Sequence, residues 1–159
     1  MRRATLLTLL LLSACSTTPD PAKEGTWVSD EISVVSERIL WEVTVLSLQK
    51  HDFPIGSGVD PTTMQAVTGW RNDLAPFRGQ GFRERAHVRY EAAGKSRYEI
   101  HVRVEHQKNM DITRPTDARY AKWEPAEDDT VEASVILHRI KAWIGETFET
   151  GDRLEPTGS

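Results

Sequence analysis

The chain has 159 residues, 20 basic and 24 acidic side chains, a formal net charge of −4 and a single cysteine. That length suits one domain, and one cysteine excludes an internal disulfide. The mildly acidic balance argues against general nucleic-acid binding, which usually calls for a basic domain.

Arg2 and Arg3 form a short positive n-region, followed by a mostly apolar run from Ala4 to Leu12 that only Thr5 and Thr8 interrupt. Small residues Ser13 and Ala14 come next, an order that reads as a secretory signal peptide. The run is too short to span a bilayer, which needs about 20 apolar residues. Ala4-Thr5-Leu6 after the arginine pair does not support twin-arginine export. The lone Cys15 stands where cleavage is expected, and Leu12-Ser13-Ala14-Cys15 resembles the lipobox of bacterial lipoproteins. The resemblance implies cleavage after Ala14, a diacylglycerol on Cys15 and a membrane partner reached through that lipid. Two acyl chains make a stable anchor at about 0.8 kcal/mol per buried methylene. Ser16 stands where an Asp would imply inner-membrane retention by resemblance to enterobacterial sorting, so the expected location is the outer membrane, facing the periplasm. Losing Arg2 and Arg3 with the signal makes the exported chain more acidic still.

Residues 1–14 are thus expected to be a signal peptide and 15–28 a lipidated cysteine with a flexible tether. Residues 29–145 form the domain and 146–159 a frayed tail. Ser16–Gly25 is polar, carries Pro19 and Pro21 and lacks an apolar period. About ten such residues span roughly 15–20 Å.

From Trp27 to about Lys50 the spacing of Ile32, Val35, Ile39, Val43 and Leu46, a stripe widened by Leu40 and Trp41, predicts a long amphipathic helix, with Ser29 or Asp30 as its cap. The alternation in Trp41–Val45 is a competing strand signal. Pro54, Gly56, Gly58 and Pro61 mark a loop, Thr62–Trp70 a short strand, and Pro76, Gly79 and Gly81 a second loop. Phe82, Ala86, Val88 and Tyr90 then alternate with Arg83, Arg85, His87 and Arg89. Beyond Gly94, Tyr98, Ile100, Val102 and Val104 alternate with Glu99, His101, Arg103 and Glu105. This is an antiparallel hairpin with one buried and one wet face. A turn centred on Gly94 sets Arg89 opposite Glu99, Glu91 opposite Arg97, His87 opposite His101 and Arg83 opposite Glu105. Gln107–Asp128 reads as a long polar connection in which Tyr120–Trp123 adds a short edge strand. Asp129-Thr130-Val131-Glu132 resembles a capping box. It opens a helix with Ala133, Ile136, Leu137, Ile140 and Ile144 on one face, and Gly145 is read as its stop.

The expected fold is α+β, with two amphipathic helices on one face of a three- or four-stranded antiparallel sheet, in the order α-β-β-β-(β)-α. That order resembles small envelope lipoprotein domains, namely the lipopolysaccharide-assembly lipoprotein and the helix-grip domains of the β-barrel assembly machinery. The resemblance is one of element order over about residues 29–145 and carries over no functional residue.

Nucleophile elbows, phosphate loops and the H-E-x-x-H zinc motif are missing, and no cofactor is expected. Gly56-Ser57-Gly58 and Gly79-Gln80-Gly81 read as turns, since no helix opens directly after either. His87 and His101, with His106 beyond and Glu99 nearby, invite a metal reading. Two histidines fall short of the three or four ligands of a specific zinc site, so a solvated pair is expected and no metal. The acidic loop Glu124, Glu127, Asp128 and Asp129 lacks calcium-loop spacing. The five tryptophans, one per element, read as core and core-edge packing. The wet face remains: Arg83, Arg85, Arg89 and Arg103, with His87 and His101, could be a charge-laced solvated sheet or a surface for an acidic partner, a lipid phosphate or a sugar acid. The expected function is a membrane-anchored, non-enzymatic binding or scaffolding lipoprotein whose partner is another envelope protein. The alternative is a small lipid- or glycan-binding lipoprotein that uses this face or the groove between helices and sheet.

Overall fold

A computed structural model describes residues 25–34, 36–75 and 79–152, with side chains to residue 145. The expected signal peptide, Cys15, the expected tether to residue 24 and residues 153–159 lie outside the described residues. The fold is α+β: the described residues form two helices and seven antiparallel strands, more strands than expected.

At its centre is the predicted hairpin, β5 (Phe82–Gly94) and β6 (Arg97–Asn109), two strands of 13 residues each. Shorter strands lie along both outer edges. Beside β6 run β1 (Val28–Ser33) and, further along, β7 (Trp123–Pro125). Beside β5 run β3 (Gln65–Val67) and β4 (Arg71–Asp73), with β2 (Val59–Asp60) outermost on β3. Helices α1 (Glu37–Lys50) and α2 (Thr130–Asp152) complete the domain.

The helix predicted from Trp27 is a strand followed by a helix. Val28, Ile32 and Val34 lie two or four residues apart, a strand period, and β1 pairs Val28 with Val102 through Ser33 with Arg97. Val34 N–H still donates to Ser96 O at 2.9 Å. Ser36, in extended backbone, then opens α1 as its N-cap, in place of Ser29 or Asp30. The helix buries Leu40 of the predicted face together with Thr44, Ser47 and Leu48, packs Trp41 and Val43 partly against the core, and leaves Leu46 46% exposed. Residues 25–28, read as tether, belong to the fold: Thr26 N–H donates to Asp128 Oδ2 at 2.6 Å.

The predicted Thr62–Trp70 strand is broken at both ends. Asp60 Oδ1 accepts the Thr62 N–H at 2.8 Å, an Asx turn, and Met64 has φ 52°. After β3 the chain leaves the ladder, with Gly69 N–H donating to Pro54 O at 2.8 Å. The edge strand predicted at Tyr120–Trp123 starts at Trp123, opposite Asn109.

The hairpin register is shifted by two residues. Its loop is Lys95-Ser96, with Gly94 at φ 151°, Ser96 at φ 58° and an irregularity between Ala92 and Gly94. An even shift leaves every side chain on its predicted face but changes every partner. Arg89 is opposite His101, Glu91 opposite Glu99, His87 opposite Arg103, Arg85 opposite Glu105 and Arg83 opposite Gln107.

Ala86, Val88, Ile100, Val102 and Val104 of the hairpin form one core with Leu40 and Leu48 of α1 and Ala133, Ile136, Leu137, Ile140 and Ile144 of α2. The α2 face is the predicted one. Asp129 Oδ1 caps the helix by accepting the Glu132 N–H at 2.8 Å. Gly145 does not stop it. That residue keeps helical backbone with open space around it, and α2 continues to Asp152, taking residues 146–152 from the predicted tail. Among the described residues, no helix is long and apolar enough to cross a membrane.

Candidate binding surface

The strand period sends Arg83, Arg85, His87 and Arg89 of β5 to the sheet face opposite the core residues Ala86 and Val88. From β6 the same face takes His101, Arg103, Glu105 and Gln107. All six residues expected to form a binding surface therefore share it. Their partners divide them. Arg85 Nε lies 2.6 Å from Glu105 Oε2, and His87 Nε2 lies 3.2 Å from the same oxygen. Arg103 grips Asp128 through Nε at 2.7 Å and Nη2 at 3.2 Å. These two arginines are neutralised within the domain. Arg83 instead donates to the neutral amide oxygen of Gln107 at 2.9 and 2.7 Å. Arg89 is 44% exposed and only 3.9 Å from Glu91.

Three tryptophans read as core packing lie on this face. Arg83 stacks between Trp70 (4.2 Å) and Trp123 (4.8 Å), while Trp70 also covers Arg85 at 4.6 Å. Trp27 covers Arg89 at 4.5 Å and meets the His87 ring edge-on at 6.3 Å. Such cation–π contacts contribute about 0.5–2 kcal/mol each. Each tryptophan precedes or begins a short edge strand, at 27, 70 and 123, so the edges fold aromatic rings onto the arginine rows. A groove of about 440 Å³ adjoins the face, lined by Thr26, Arg103, Glu105, Pro125 and Asp128 among others.

Electrostatics follow from this packing. Burial pushes the His87 imidazole below its ordinary value, with Arg85 and Arg103 adding repulsion against the Glu105 hydrogen bond. Burial alone would raise Glu105, but hydrogen bonds from Arg85 and His87 override it and hold the carboxyl below its usual range. Desolvation also lowers Arg83.

His106 is not on this face. It lies on the core side, stacked on Phe82 at 5.2 Å with Nδ1 2.9 Å from Glu84 Oε1. There it joins a partly buried ionic network around Glu84 that the sequence reading missed. Arg71 Nη2 donates to Glu84 Oε2 at 2.6 Å. Both terminal nitrogens of Arg71 also reach Glu132 Oε1 at 3.3 Å, and the guanidinium covers the Phe53 ring at 4.3 Å. His51 Nδ1 lies 3.1 Å from Glu132 Oε1. One signal was available: Glu84 occupies an inward position between Phe82 and Ala86. Both Glu84 oxygens have partners, so the network ties both helices to the sheet.

Two residues of the acidic loop serve the structure, Asp128 on Arg103 and Thr26, and Asp129 on the α2 cap. The expected His87–His101 pair does not form.

No protein-family model and no curated protein matches the sequence. A solved structure of a TBP-like protein from Parabacteroides distasonis aligns with 62% of this chain and 64% of its own, at 11% identity and a TM-score of 0.37. The aligned part is less than two thirds of that protein, and a superposition this loose transfers neither fold nor function.

Proposed function

We propose that the chain is a non-enzymatic lipoprotein of the bacterial envelope, anchored through Cys15 to the outer membrane and facing the periplasm. Its task is to bind another envelope protein through the tryptophan- and arginine-bearing sheet face. The address rests on the Leu12–Cys15 lipobox behind a short apolar run. One observation carries the binding reading: Arg83, whose acceptor is the neutral Gln107 amide, and Arg89, whose ion pair with Glu91 is long at 3.9 Å, both lie over tryptophan rings. Tryptophan and arginine are the side chains that most often dominate protein interfaces. Stacking also fixes the guanidinium before a partner arrives, which lowers the ordering cost of binding.

The groove beside Arg103 favours a second reading, a lipid or glycan ligand. Crosslinking in intact cells separates the two. A photoreactive residue at Arg89 should capture one defined protein, while the same residue at Arg38, 84% exposed on α1, should not. Capture of the same mixture from both positions removes the protein-binding reading. Lipid or glycan adducts from Arg89 alone favour the second.

A further inference from the structure

At the turn end of the same sheet face, away from the Arg83 stack, three glutamates line up across three strands. Glu31 pairs with Glu99 across β1 and β6, and Glu99 pairs with Glu91 across β6 and β5. Like charges directly opposite one another destabilise a sheet. Arg97 answers Glu31 at 3.3 Å, and Arg89 stands 3.9 Å from Glu91. His101, two residues beyond Glu99 on β6, points its ring between the other two carboxylates. Its Nε2 is 3.6 Å from Glu91 Oε1 and 4.0 Å from Glu99 Oε1.

The His101 residue is 8% exposed, and its Nε2 is buried without a hydrogen-bond partner. A buried polar atom left so is uncommon and costs stability. Its other nitrogen, Nδ1, lies 2.6 Å from Ser29 Oγ. When Nδ1 donates to that hydroxyl, the free lone pair is on Nε2 and faces the carboxylates. Metal-ligating histidines are commonly oriented by such a bond on the second nitrogen.

We infer that Glu91, Glu99 and His101 bind one divalent first-row transition ion, with Zn²⁺ the best match. Bonds of 2.0–2.2 Å in a tetrahedron space the ligand atoms about 3.4 Å apart. The three candidate atoms lie within 4.8 Å of one another, so small rotations of two exposed carboxylates close the shell. One imidazole with two carboxylates suits zinc and its neighbours in the first row, whereas Mg²⁺ and Ca²⁺ favour oxygen alone. Three protein ligands at the surface leave a fourth position for water. The ion would offset the Glu91–Glu99 repulsion and engage the orphaned Nε2. The site shares a face with the proposed binding surface but does not depend on that reading.

The test is calorimetric titration of the full chain, purified in detergent and freed of metal by a chelator, with Zn²⁺, Mg²⁺ and Ca²⁺ in turn. One Zn²⁺ per chain is expected, saturating well below millimolar and raising Tm, while Mg²⁺ and Ca²⁺ do neither. The double variant Glu91→Gln/Glu99→Gln changes two exposed side chains, keeps the fold and should abolish binding. Ser29→Ala should weaken it about 10- to 100-fold, and His87→Gln should leave it unchanged. Absence of saturable zinc binding overturns the inference. So does binding that survives the double glutamine variant, or equal binding of Ca²⁺.

Discussion

Arg71 and Glu84 are direct cross-strand partners of β4 and β5, and their side chains meet at 2.6 Å where Glu84 is only 4% exposed. The pair joins the sheet to both helices. Arg71 also donates to the carbonyl of His51, just past the end of α1, and reaches Glu132 in the first turn of α2. Glu84 is buried and Arg71 partly so, and leaving that carboxylate without its arginine costs a desolvation penalty, so removing one partner is worse than removing both.

Arg71→Met should therefore lower unfolding stability by about 3–5 kcal/mol. Arg71→Met/Glu84→Met should recover part of that loss, because the orphaned carboxylate goes with its partner. Urea denaturation of the two variants checks this. A double variant no more stable than the single one would show that Glu84 is satisfied without Arg71.

The start of α2 makes a second case. Asp129 accepts the Glu132 N–H, but Glu132 does not complete a reciprocal capping box, since the Asp129 N–H donates to Val104 O at 2.9 Å. The Glu132 carboxylate is spent on Arg71 and His51 instead. Asp129→Ala should cost about 0.5–2 kcal/mol as a lost cap. Glu132→Ala should couple strongly to Arg71→Met and not to Asp129→Ala in double-mutant cycles. Equal coupling to both would mean that Glu132 works through the cap after all.

Why the hairpin and α2 were legible while β1 and the ionic network were not comes down to period and range. Phe82–Tyr90 and Tyr98–Val104 alternate on either side of a glycine turn, and the Ala133–Ile144 stripe is uninterrupted, so local pattern sufficed. Ile32 and Val34 satisfy a strand, yet Ile32 and Val35 also satisfy a helix, and only pairing with β6 decides between them. The two-residue register shift hangs on the Gly94–Arg97 turn, whose positive φ at Ser96 is not a residue preference. Arg71, Glu84, Glu132 and His51 come from four separate segments, so no spacing rule links them. The six residues of the candidate surface were placed on one face by alternation alone. That Arg85 and Arg103 are neutralised and Arg83 and Arg89 are stacked depends on Glu105, Asp128 and three edge tryptophans.

Acid should weaken the fold in two stages on this face. The folded His87 is held below its ordinary 6.5, so the unfolded chain binds more protons between that value and the depressed one. Stability from this source is complete above about pH 6.5 and falls as pH drops below it. Glu105 is also depressed, so its contribution is present above about 4.5 and is lost as pH falls through the lower folded value. His87→Phe keeps a ring against Trp27 and should flatten the first stage and shrink the second, because Glu105 then keeps only its hydrogen bond from Arg85. Urea midpoints measured from pH 7.5 to 3.5 test this. A first stage of equal size in the variant assigns that loss to other groups.

The last prediction concerns Cys15, which lies outside the described residues, while the core runs from Ile32 to Ile144. Nothing in that core calls for a thiol, so Cys15→Ala should leave the urea midpoint of the domain unchanged. The lipobox resemblance requires the same change to block lipid attachment and normal cleavage after Ala14. On that reading, two acyl chains on Cys15 supply the stable membrane binding. Metabolic labelling with a radiolabelled fatty acid, followed by membrane fractionation, reads both effects. A variant still cut after Ala14 and still labelled would remove Cys15 as the anchor, whatever its effect on stability.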